Sequence, residues 1–94
     1  MENNFEWDKE KATLNFHDHG VSFANAAKAF LDLFVVEWID DREDYGEERT
    51  NMLATVNGVV LHVTYTERAG KIRLISARKA TKHEQDRYYR ETSI

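Results

Sequence analysis

Three arginines, Arg68, Arg73 and Arg78, are gathered in the stretch YTERAGKIRLISARKATKHE, Tyr65 to Glu84. A guanidinium is a planar fork of N–H donors that matches the oxygens of a phosphate. Glu67, Lys79 and His19 are groups that can move a proton. Cleavage of RNA without a metal needs such a set: a base near the 2′-hydroxyl, cations on the phosphorane oxygens, and an acid for the leaving 5′ oxygen. Lys11 and Lys82 are further cations for RNA contact. Tyr65 offers a ring on which an unpaired base can stack, although its place in an apolar alternation suits a core role equally well.

Strand parity limits this grouping. Arg73 and Arg78 are five apart, so a regular strand sends them to opposite faces. They share a face only if the strand ends or bends near Ser76-Ala77. The plainer alternative pairs Arg73 with a surface acid and Arg78 with the last helix.

Other chemistries find less support. His17 and His19 stand two apart with no HExxH pattern, and the chain has no cysteine, so no metal site is expected. Four scattered glycines form neither a GxGxxG nor a Walker loop, and no cofactor is expected. Ser22 and Ser76 lack a nucleophile-elbow context.

The elements that must position these residues are legible from local signals. Phe5-Glu6-Trp7 alternates like a short edge strand. Asp8 caps a helix running to His17 or beyond, with Ala12 and Phe16 facing the core, and Gly20 ends it. Ser22 caps a second helix, Phe23 to about Asp32, whose Phe23, Ala27 and Phe30 follow helical spacing. A strand occupies the later part of Leu33–Ile39. The run DDREDYGEE, Asp40 to Glu48, reads as a solvated connection that can also lend a carboxylate to the site or an acidic patch to a partner.

Arg49–Val56 is a strand, and Asn57-Gly58 predicts a type I′ hairpin. Val59, Leu61, Val63 and Tyr65 then share one face of the next strand, with Val60, His62, Thr64 and Thr66 on the other. Ala69-Gly70 turns the chain into Lys71–Ala77. Thr81 and Glu84 form a capping box for a helix ending near Arg90. The expected fold is α+β: a short strand, two helices, a mainly antiparallel four-stranded meander and a C-terminal helix. Helices are expected to cover one sheet face and leave the other partly open.

Ninety-four residues with 41% apolar content make one folded domain, residues 1–94, with a modest core. No apolar run reaches membrane-spanning length, and the absence of cysteine fits a reducing cytoplasm. The net charge of −4 conceals a split. Residues 1–66 carry 5 Lys/Arg against 13 Asp/Glu, net −8, whereas residues 67–94 carry 8 against 4, net +4. Overall acidity opposes nonspecific nucleic-acid coating, yet a local basic field can hold a phosphate backbone.

The chain also resembles a known family. The blocks Phe5-Glu6-Trp7-Asp8, Lys11, Asn15 and His19-Gly20-Val21-Ser22-Phe23 are followed by DREDYGEER (Asp41–Arg49) and VTYTER (Val63–Arg68). IRLISARKAT (Ile72–Thr81), Glu84 and Tyr88-Tyr89 complete the series. In this order they resemble the BrnT family of bacterial type II toxins, ribonucleases related in fold to the RelE toxins. The resemblance implies a cytoplasmic endoribonuclease that stops translation and growth. It also implies neutralisation by a BrnA-like antitoxin in a higher-order complex, with DNA contacted only through that antitoxin. One position departs from the pattern: many members have Lys-His-Gly where this chain has Asp18-His19-Gly20. An anion in place of that cation would weaken RNA binding. The competing reading is therefore a catalytically weak or inactive homologue that acts as an antitoxin-binding protein.

Overall fold

The computed structural model describes residues 4–92. Strand β1 (Phe5–Glu6) precedes helix α1 (Lys9–His19) and the single turn α2 (Phe23–Ala26), which continues as a 3-10 helix over Ala27–Leu31. Strands β2 (Val36–Asp40), β3 (Arg49–Val56), β4 (Val59–Arg68) and β5 (Lys71–Lys79) follow, and α3 (Lys82–Thr92) closes the chain. β2 to β5 form the expected antiparallel meander, and β1 pairs in parallel with β5. The protein is thus α+β, with a five-stranded mixed sheet in the order β1-β5-β4-β3-β2. No helix among the described residues is long and apolar enough to cross a membrane.

Local chemistry accounts for the boundaries. The Asp8 carboxylate accepts the Lys11 amide at 2.9 Å, and the Ser22 hydroxyl accepts that of Asn25 at 3.0 Å. Gly20 adopts φ +71° and returns its N–H to the Phe16 carbonyl. At both hairpins the two central residues have positive φ, as a type I′ turn requires: Asn57 and Gly58 at one, Ala69 and Gly70 at the other. Asn tolerates that region, but Ala69 at φ +50° carries a Cβ penalty. The capping box forms as expected. The Thr81 amide donates to Glu84 Oε1 at 2.9 Å, and the Glu84 amide donates to the Thr81 hydroxyl at 3.2 Å.

Alternation divides the interior in two. Met52, Ala54, Leu61, Val63 and Leu74 pack on one face beneath α1 and α2, with Phe23 fully buried among them. Burying each large side chain of this set contributes about 1.5–3 kcal/mol. Val36, Leu53 and Val60 project from the other face and pack against Ala80 and Tyr88. The expectation that helices cover a single face is corrected: α3 packs across the second face at one end and leaves the rest to polar side chains.

The carboxylate of Asp32 ties α3 to the sheet. It accepts Tyr88 Oη at 2.5 Å, the Thr55 amide and hydroxyl at 2.8 and 3.0 Å, and the Phe34 amide at 2.8 Å. This side chain also explains why the second helix stops short of Asp32. Its bond to the Phe34 amide offers the backbone a turn instead of a further helical turn.

Phe16, expected in the core, is 58% exposed. The inward residue is its neighbour Asn15. The Asn15 Nδ2 donates to the carbonyls of Val21 (2.9 Å) and Ala77 (2.8 Å), and Oδ1 accepts the Ala77 amide at 3.1 Å. A helix turns about 100° per residue, so seating Asn15 on β5 carries Phe16 to the side.

Losing the Asn15 carboxamide leaves three buried partners unsatisfied, each costing about 1–3 kcal/mol. Asn15→Ala should therefore lower stability by roughly 3–5 kcal/mol, read as the shift in a urea unfolding curve. Ala69→Gly should act oppositely, raising stability by about 0.5–1 kcal/mol in the same measurement by relieving the left-handed backbone.

Candidate functional site

The faces of β4 and β5 are set by an irregularity. Tyr65 pairs with Leu74 but Thr64 pairs with Ser76, which leaves Ile75 as the extra residue of a β-bulge. The bulge cancels the odd spacing between Arg73 and Arg78. Arg73 lies opposite Thr66 and Arg78 opposite His62, two residues of the same face of β4. The bend required near Ser76-Ala77 is thus present. The two arginines stand four ladder positions apart, roughly 13 Å at about 3.3 Å per residue.

At one end of this face, Arg49, Arg68 and Arg73 line a cleft of about 330 Å³ together with Lys11, Asp8, Glu10, Leu74 and Ile75. The arginines come from β3, β4 and β5, and Lys11 comes from the first turn of α1. Each of the three arginines has a carboxylate within 4 Å. Glu47 grips Arg68 through Nε (3.0 Å) and Nη2 (3.2 Å) and lies 3.8 Å from Arg49 Nε. Glu6 of the neighbouring strand accepts Arg73 Nη1 at 3.3 Å. The hydrogen bonds from Arg68 hold the Glu47 carboxyl below its ordinary range and raise the guanidinium in return. Arg49 lies over the Tyr45 ring at 4.0 Å, and its buried Nε has no hydrogen-bond partner among the described residues.

Arg78 occupies the other end. Its two terminal nitrogens grip the Glu84 carboxylate at 2.8 and 2.9 Å, so the alternative pairing with the last helix also holds. Beside it, His62 stands edge-on to Trp38 with ring centroids 5.6 Å apart. Burial, reinforced by the Arg78 charge, pushes the His62 imidazole below its ordinary value. Arg78 holds the Glu84 carboxyl at about 2, against the cost of burial.

The remaining expected residues do not line the cleft. Glu67 follows the parity of Tyr65 and borders a separate hollow with Glu47, Glu48 and Thr50. Lys79 lies opposite Leu61 at the end of β5 and is exposed. His19 ends α1, eight residues from Lys11 and so roughly 12 Å along the helix. Lys82 is exposed and pairs with Asp86 at 2.8 Å. The Tyr65 ring packs edge-on against Phe30, centroids 4.9 Å apart, and its hydroxyl donates to Glu37 at 2.6 Å.

Two residues of the site carried no individual signal in the sequence. Arg49 read only as the start of a strand, and Glu47 as one acid among six. The acidic connection is also less free than its composition suggests. Asp40 is buried and clasped by Arg42 at 2.8 Å through both oxygens, and the Thr66 hydroxyl donates to the Glu48 carbonyl at 2.7 Å. Arg42 holds the Asp40 carboxyl at about 2.

Convergent guanidinium and ammonium groups at a sheet end suit an oxyanion, because N–H donors not taken by Glu47 or Glu6 can donate to its oxygens. A sequence model described as "Ribonuclease toxin, BrnT, of type II toxin-antitoxin system" matches residues 7–84. The chain belongs to this family of toxins. No curated protein matches it.

The titrating groups predict an acid response in two steps. His62 is lowered in the folded state, so its stabilisation is complete above about pH 6.5 and declines as pH falls through that range. Glu84 and Asp40 are also lowered, so theirs is complete above about pH 4.5 and is lost towards pH 2. Urea midpoints measured across pH should fall in these two windows, and Glu84→Gln should flatten the lower one.

Proposed function

We propose that the protein is a metal-independent endoribonuclease toxin that cuts RNA in the bacterial cytoplasm and so inhibits translation and growth. The observation that carries this reading is the convergence of Arg68, Arg73 and Lys11 with Arg49 on one cleft. In the reaction the 2′-oxygen attacks phosphorus, the bond to the 5′ oxygen breaks, and negative charge collects on the two non-bridging oxygens. Arg68 and Arg73 stabilise that charge. Both are pre-aimed by carboxylates that take up only part of each guanidinium, so little reorganisation is needed at the moment of reaction. Arg78, on the same face but about 13 Å away, holds a flanking phosphate, with Lys11 and Lys82 as further backbone contacts. A BrnA-like antitoxin neutralises the enzyme in a higher-order complex and supplies its only link to DNA.

A second reading is an antitoxin-binding protein with little catalysis. It is favoured by the engagement of Arg68, Arg73 and Arg78 with Glu47, Glu6 and Glu84, which offsets their charge. The position of Asp18 bears on it less, since that residue lies beside His17 in the last turn of α1, away from the cleft.

The two readings part on a direct assay. Purified protein should cleave a labelled single-stranded RNA in excess chelator and leave 2′,3′-cyclic ends. Arg68→Ala and Arg73→Ala, checked for folding by circular dichroism, should each reduce kcat/KM by about 10²–10³-fold. Induced alone in a sensitive bacterium, the wild-type chain should arrest growth. Intact RNA and normal growth would favour the binding-only protein, and a requirement for a divalent cation would overturn metal independence.

A further inference from the structure

Glu67, Lys79 and His19 do not line the cleft, and none of them pairs with its arginines among the described residues. We infer that Glu47, which borders the neighbouring hollow and reaches the cleft through its bonds to Arg68, is the proton acceptor, the carboxylate that takes the 2′-hydroxyl proton; this rests on the ribonuclease reading above.

Glu47 is tied to two of the cleft's arginines, Arg68 by two hydrogen bonds and Arg49 at 3.8 Å. Arg68 spends Nε and one Nη2 hydrogen on it, which leaves the Nη1 side free for a phosphate oxygen. A base and a phosphate held on adjacent edges of one guanidinium leave room between them for the 2′-hydroxyl that must meet both. Arg49 adds a second feature. Its Nε is buried without an acceptor among the described residues, and Glu47 Oε2 lies just beyond hydrogen-bond reach at 3.8 Å. A hydroxyl seated between them would accept from Arg49 and donate to Glu47, satisfying the orphaned donor while placing the proton on the base.

The carboxylate is held in place by its backbone. The Thr66 hydroxyl fixes the next residue through the Glu48 carbonyl, and the Glu47 side chain is only 22% exposed. In the step, the 2′-oxygen bonds to phosphorus as its proton passes to Glu47. The 5′ oxygen departs with a proton from water, and Glu47 then returns its own to solvent. The groups facing Glu47 are Arg49 from β3, Arg68 from β4 and Arg73 from β5, with Tyr65, Glu48 and Glu67 around the adjoining hollow. The cations outweigh the acids at the carboxyl itself, so it stays ionised at neutral pH.

Glu47→Gln keeps the shape and one acceptor for Arg68 but cannot take a proton. Its kcat on labelled single-stranded RNA should fall about 10²–10⁴-fold with KM changed less than about threefold, and Glu47→Asp should recover part of the rate. Between pH 6 and 8 the wild-type rate should be nearly flat, whereas the residual Glu47→Gln rate should rise about tenfold per pH unit as hydroxide replaces the lost base. A purely structural role would not produce that slope. If wild type cleaves and Glu47→Gln cleaves equally well, Glu47 is not the base while the ribonuclease reading stands. If Glu47→Gln is faster than wild type, Glu47 instead occupies the phosphate seat. Absence of cleavage by wild type would remove both proposals together.

Discussion

The side chain of Asn15 is the contact on which the arrangement of this molecule depends. β1 is two residues long and covers β5 only at Ile72 and Arg73. Beyond the bulge at Ile75, the outer edge of β5 would present an unpaired N–H and C=O at Ala77. Asn15 meets both, so its carboxamide acts as a one-residue extension of the missing strand. Its second N–H proton goes to Val21, which fixes the chain as it leaves α1 towards α2. One buried amide thereby joins the helix, the sheet edge and the connection between the helices. An apolar residue of similar size would fill the space and leave the backbone groups unsatisfied.

The bulge and that amide work together. The extra residue switches which alternate residues of β5 point to each face of the sheet, and Asn15 secures the strand just after the change. Arg73 and Arg78 therefore sit on one face instead of two, aligned with Thr66 and His62. α3 covers only the Arg78 end of this face, through Tyr88 on Asp32 and Arg87 over the Trp38 ring at 4.4 Å. The Arg73 end stays open beside the first turn of α1, where Lys11 joins it.

Charge is organised the same way. The acidic first two-thirds and the basic last third do not form separate surfaces. Glu6 and Glu47 from the acidic part reach Arg73 and Arg68 from the basic part, and Asp8 and Glu10 border the same cleft. Such pairs on a partly exposed surface add little stability, because solvent screens them. Their larger effect is on orientation, since a guanidinium gripped by a carboxylate keeps its remaining donors aimed in one direction. The same pairing weakens the long-range pull of the cleft on a polyanion, so contact geometry has to supply more of the recognition.

The sequence by itself determined whatever depends on neighbours a few residues apart. The Asp8, Ser22 and Thr81 caps, the Asn57-Gly58 turn, the alternation of β4 and the four-stranded meander were all legible, because capping and pleating act over two to four residues. The family was legible too, since its blocks run through the chain in order. Tertiary structure decided the rest. The seating of Asn15, and with it the exposure of Phe16, depended on backbone groups of Val21 and Ala77 that no local pattern in α1 reveals. The bulge at Ile75 is defined only by the partner strand. The same holds for Arg49 and Glu47: when the ends of β3 and β4 met, a strand start came to line the cleft and one acid of six came to grip its Arg68. Local sequence specifies which way a side chain leaves its own element, and only the packed sheet specifies what it then faces.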